Sequence, residues 1–119
     1  MEKMGKIVIS IFNTVGDKYC IEAEEGEKVY KLIKRSFDEK KKVVASFMNV
    51  ELLTTAFLNT AIGQLYRDFS EEYIRENLAV ENMTASGAAS LKRVVETAKL
   101  YYKDPDALQR SINEILGEE

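Results

Sequence analysis

The chain has 119 residues, 45% of them hydrophobic and 31% charged, with a net charge of −3, a pI near 5.2, one cysteine and no histidine. That size and balance predict one globular domain over residues 1–119, and the mild acidity gives no general electrostatic reason to bind nucleic acid. Without histidine the chain lacks the usual general base at neutral pH, the hydrolase triads and the ligand set of a zinc site, so neither a metal nor a cofactor is expected.

No run approaches the 18 or more apolar residues of a membrane helix, and the charged start MEKMGK is not followed by the apolar stretch of a signal peptide. A cytoplasmic protein without a membrane partner is expected. The lone Cys20 cannot close an intramolecular disulfide, which suits a reducing compartment, and is read as a small buried hydrophobe.

Lys6 to Phe12 (KIVISIF) is apolar on both faces, as a strand covered on both sides would be. Asn13 to Asp17 supply turn chemistry, so Tyr19, Cys20 and Ile21 are predicted to pair back on the first strand as a hairpin. Glu24, Glu25 and Gly26 then precede a helix with Val29, Leu32, Ile33 and Phe37 on one face. Acidic residues at its start and Lys40, Lys41 and Lys42 at its end suit the helix dipole. No aromatic residues interleave this lysine run, so it is read as a solvated helix face and terminus.

Val43 to Met48 form a buried, parallel-type strand, and from Leu58 the residues Ala61, Ile62, Leu65 and Phe69 continue one helical face. Between them Thr54, Thr55 and Ala56 make a strand-to-helix corner whose hydroxyls can cap the first helical turn. Ser70 caps a further turn over EEYIREN, which docks by Tyr73 and Ile74, and Leu78, Ala79 and Val80 form the next strand. Thr84, Ser86 and Gly87 open a helix carrying Leu91, Val94, Val95, Ala98 and Tyr102. Asp104-Pro105 starts a last one with Leu108, Ile112, Ile115 and Leu116 on its face and Gly117 at its end. Strands alternating with helices predict an α/β domain: a mixed, mainly parallel, four-stranded sheet with four to five helices.

Nothing in the chain assembles catalytic machinery. Glu24-Glu25 and Glu71-Glu72 are adjacent pairs that point in different directions on a helix, and no phosphate-binding glycine loop is present. An enzyme is therefore not expected. Tyr66, Tyr73, Tyr101 and Tyr102 offer more aromatic surface than a small core needs, which leaves room for a homodimer.

The stretch LLTTAFLNTAIGQLY, entered through VVASFMNV and preceded by the GEKVYKLI helix, resembles the STAS-like family of small bacterial proteins, relatives of the anti-sigma factor antagonist domains. The similarity runs loosely from Gly16 to Tyr102. It implies a STAS-like sheet-and-helix adaptor without activity of its own, regulated in related systems by a kinase of the histidine-kinase-like ATPase type. In the antagonists this corner carries an acidic residue, two serines and a glycine, the second serine being the phosphoacceptor. Placed without gaps, Thr54 takes the acidic position, Thr55 the first serine, Ala56 the acceptor and Phe57 the glycine, while Asn59 stands where many relatives are acidic. The usual acceptor is thus missing, and Thr55 is the neighbouring hydroxyl. Two readings follow: a protein-docking surface at Thr54, Thr55, Ala56, Phe57 and Asn59, or a sensor of small anions or nucleotides at the same helix N-terminus.

Overall fold

The computed structural model describes residues 5–103, 110 and 113–117. The chain opens with β1 (Lys6–Ser10), α1 (Ile11–Val15), β2 (Tyr19–Cys20) and α2 (Ala23–Asp38), followed by β3 (Lys42–Ser46) and β4 (Leu52–Leu53). A composite helix comes next, made of α3 (Thr55–Leu58), a π-helical turn (Asn59–Gly63) and α4 (Leu65–Asp68). The described order closes with α5 (Glu71–Asn77), β5 (Leu78–Glu81) and α6 (Ala85–Lys103).

The α/β class matches the expectation, but the mixed four-stranded sheet does not form: among the described residues every strand pairing is parallel, and six α-helices stand where four to five were expected. Three parallel strands run in the order β1-β3-β5, and β2 pairs separately with β4, also in parallel. The reason lies in residues 10–17. The Ser10 hydroxyl accepts the Asn13 N–H, and the Gly16 N–H donates to the Phe12 carbonyl at 2.8 Å with Gly16 at φ +83°. What reads as turn chemistry is a single capped helical turn that carries the chain forward, so Tyr19 meets Leu52 and the hairpin is absent.

Parallel register fixes which residues face the core. Ile7, Val43 and Leu78 stand side by side, as do Ile9, Ala45 and Val80, and all six belong to the core cluster or pack against it. The opposite row runs Val8, Val44, Ala79. There Val8 is 61% exposed, so β1 is covered on one face and not on two.

Helix α2 lies across the composite helix, with Val29, Ile33 and Phe37 buried against Phe57, Leu58, Ala61, Ile62 and Leu65. Its start is one turn earlier than the sequence suggests, because Glu25 accepts the Ile21 and Glu22 backbone N–H groups at 3.3 Å each and so caps the helix from within. Phe37, Phe69 and Tyr73 form an aromatic knot with centroids 5.0–5.6 Å apart, which places Tyr73 in packing, whereas Tyr101 remains 45% exposed beside Tyr102. The predicted last helix falls partly outside the described residues, Asp104-Pro105, Leu108 and Ile112 among them. Ile115 and Leu116 are helical and strongly exposed, ending at Gly117 with φ +78°. Among the described residues no helix is long and apolar enough to cross a membrane.

Candidate functional site

The strand-to-helix corner is built from Thr54 outward. Its extended backbone makes it the N-cap of α3, and its hydroxyl accepts the Phe57 N–H at 3.1 Å while donating to the Ile21 carbonyl at 2.5 Å. One side chain therefore starts the helix and ties it to the end of β2, with the Thr54 N–H also donating to the Cys20 carbonyl. Helix continuity beyond Leu58 passes through a widened turn, in which the Gln64 N–H reaches the Asn59 carbonyl at 3.1 Å.

The predicted site residues divide into two sets. Thr55, Ala56 and Asn59 are exposed, Thr55 and Asn59 one turn apart on the same helical face, and Thr54 is half-buried. Phe57 is fully buried in the core. That corrects its place in the docking surface: the phenyl ring anchors the corner and has no area to offer a partner. At the N-terminus of a helix the core-facing position must be apolar, and Phe57 fills it.

Beside the exposed set the fold leaves an apolar group that sequence reading missed. Tyr19, Ile21 and Leu52 are 43%, 43% and 48% exposed, Tyr19 and Leu52 being register partners of the β2–β4 pair. Tyr19 and Ile21 lie two residues apart, on one side of the strand track, and Ile21 is held to the corner by Thr54. The signal in the sequence was the alternation of Tyr19, Cys20 and Ile21, since Cys20 is fully buried between its exposed neighbours. Burial, then Glu25 and Asp17, push the Cys20 thiol up to about 11, so it stays protonated at neutral pH.

A model of the STAS-like domain family of unknown function, DUF4325, matches residues 25–88. That span is more than half of the chain and holds α2 from its third residue on, β3, the whole corner, α5, β5 and the first residues of α6. The chain belongs to this family. No curated protein and no solved structure matches it. Within the STAS-like domain the corner thus sits inside the family-defining segment, whereas Tyr19 and Ile21 precede it.

The STAS-like domain also has a cleft of about 270 Å³ at the carboxyl ends of β3 and β5, lined by Phe47, Leu53, Met83 and Gly87 with the polar groups of Asn82, Thr84, Ser86 and Ser90. Thr84 caps α6 by accepting the Gly87 N–H at 3.0 Å, and Asn82 turns the chain at φ +63° while donating to the Ser46 hydroxyl at 3.2 Å. Sequence reading placed Thr84, Ser86 and Gly87 only as a helix start. Open parallel sheets collect ligands at the carboxyl ends of their strands, but recognising that position requires knowing that β3 and β5 are neighbours.

Proposed function

We propose that this STAS-like domain is a non-catalytic regulatory module that docks on a signalling protein. The contact runs through the exposed corner residues Thr55, Ala56 and Asn59 and the strand pair beside them. The observation that carries the reading is the apolar trio Tyr19, Ile21 and Leu52, left in solvent next to that corner. Adjacent exposed apolar side chains rimmed by polar groups mark interaction surfaces, and the rim here is Lys18, Glu51 and Glu22, with Lys18 3.8 Å from Glu51. The family resemblance supplies the partner class, a histidine-kinase-like ATPase. With alanine at the usual acceptor position, the exposed hydroxyl open to phosphorylation is Thr55, where about −1.5 to −2 charges would reset the surface.

The test is copurification of the domain with a co-expressed ATPase of that class, using Ile21→Asp, Leu52→Asp and Thr55→Glu. Loss of the partner with folding intact supports the surface, and retention by all three variants counts against it. A second reading, small-ligand sensing, draws support from the 270 Å³ cleft and its hydroxyl-lined wall. A thermal-shift screen with nucleotides and phosphorylated metabolites distinguishes it: a stabilising ligand whose effect disappears in Ser86→Ala and Thr84→Val favours the sensor.

A further inference from the structure

A second cleft, of about 220 Å³, opens between α6 and the edge strand β5 and shares no lining residue with the corner. Val94 and Ala98 bury one face of α6 beside Gly63, where a methyl group on the Gly63 Cα would meet them at ordinary contact distances of 3.6 and 3.7 Å. The adjoining face carries Leu91, Val95 and Lys99 at helical spacing, all half-buried. Across the gap stand Leu78 and Val80 of β5, also half-buried, over a floor of Ile62 and Ile74 that is almost fully closed. Close-packed interiors do not leave facing aliphatic walls apart without cost. An apolar cavity of about 150 Å³ is enough to admit benzene.

One end of this apolar slot is polar and cationic. Lys99 Nζ lies 2.8 Å and Arg75 Nη1 3.7 Å from the same oxygen of Glu71. Two cations of the mouth, Lys99 and Arg75, thus face one carboxylate. Tyr66 lines the same mouth. Burial pushes its phenol above the ordinary value, against the field of Lys99, so the hydroxyl keeps its proton as a donor.

The geometry points to a binding site for a small amphipathic carboxylate, its single ring or short hydrocarbon tail between Leu78, Val80, Leu91 and Val95. The carboxylate sits at Lys99, Arg75 and the Tyr66 hydroxyl, where it shares the cations with Glu71. The apolar walls supply most of the contact area and the mouth supplies discrimination, because an anion answers the excess positive charge and a neutral isostere does not. The cations are partly exposed, so added salt weakens that discrimination.

The experiment is a titration of the full chain, followed by backbone amide chemical shifts, with 4-methylbenzoate against 4-methylbenzyl alcohol. The expected result is saturable binding of the carboxylate in the millimolar range, with shifts centred on residues 78–80, 91–95 and 99. The alcohol is expected to bind about tenfold more weakly. Lys99→Met should bring the two ligands within about twofold, since it removes the nearer cation and leaves the walls. Val95→Phe fills the slot and should abolish binding of both; Leu91→Phe serves the same purpose if Val95→Phe does not fold. Equal binding of acid and alcohol, shifts centred elsewhere, no saturable binding, or binding that survives a filled slot overturns the assignment.

Discussion

Gly26 of α2 lies so close to Phe57 that a methyl group on its Cα would stand 2.6 Å from the Phe57 carbonyl oxygen and 3.0 Å from Thr60 Cβ. The contact explains how α2 can press on the corner, and why residue 26 has no side chain. Two effects oppose each other in Gly26→Ala. The helix gains about 0.5–1 kcal/mol from lower backbone entropy in the unfolded chain, whereas overpacking costs about 1–3 kcal/mol. The nearest atom is backbone and cannot rotate away, so the clash wins. Urea unfolding should show net destabilisation of roughly 1–2 kcal/mol.

Thr54 joins two elements, so its replacement should cost more than an ordinary cap. Thr54→Val keeps the shape but removes both the acceptor for the Phe57 N–H and the donor to the Ile21 carbonyl. The expected loss is about 1–2 kcal/mol, with Thr54→Ser recovering most of it. Thr55→Ala, at an exposed position outside this capping network, should change stability by less than about 0.5 kcal/mol. Equal effects at the two positions would contradict the division of the corner into a structural and an exposed threonine.

The difference between Thr54 and Phe57 marks how far the sequence could be read. Capping chemistry is local, and Ser70 over Tyr73 and Thr54 over Phe57 sit where the residue types alone place them. So do β3, α5, β5 and the start of α6, since hydrophobic period identifies each. What was hidden depends on partners distant in sequence. Whether Tyr19 turns back on β1 or runs beside Leu52 is a question of pairing, and Gly16 permits either turn or helix end. Phe57 takes the position of a family glycine in a gap-free placement, which suggests exposure, yet its helical phase relative to Ala61 and Leu65 turns it inward. The exposed trio at Tyr19, Ile21 and Leu52 became visible only with the β2–β4 pairing.

Cys20 provides a pH-dependent signature of the core beneath that trio. Its thiol is raised from an ordinary 9.0 to about 11, by burial first and then by Glu25 and Asp17. Between those values the unfolded chain releases a proton that the folded chain keeps, so the stability tied to Cys20 is complete below about pH 9 and is lost as pH rises through about 11. Relative to Cys20→Ala, the natural protein should lose stability over that window. Consistent with it, labelling of Cys20 by a thiol reagent at pH 8 should be slow in the folded state and fast in urea. Rapid native labelling would mean that β2 does not shield the sulfur.

The Tyr30–Asp68–Arg67 cluster locks α2 to α4 on the flank of the corner. The Tyr30 hydroxyl donates to Asp68 Oδ2, Arg67 Nη2 donates to the Tyr30 oxygen at 2.8 Å, and Arg67 Nε lies 3.1 Å from Asp68 Oδ1. Burial alone would raise the Asp68 carboxyl, but hydrogen bonds from Arg67 and Tyr30 outweigh it and hold the group below its ordinary 3.8. A depressed carboxyl contributes stability above its unfolded value that disappears as pH falls through the folded one. Tyr30→Phe should therefore cost about 0.5–1.5 kcal/mol at pH 7, and that cost should shrink as pH falls below the ordinary 3.8 and through the depressed value of folded Asp68, which takes up a proton and weakens the charge-assisted bond. Asp68→Asn should behave at pH 7 as the natural protein does in acid, because it keeps an acceptor for Tyr30 but removes the charge facing Arg67. Denaturant unfolding of the three proteins at pH 7 and pH 3 checks both. A Tyr30→Phe penalty of equal size at the two pH values would show that the tyrosine acts through its ring packing in the core and that its hydroxyl contributes little.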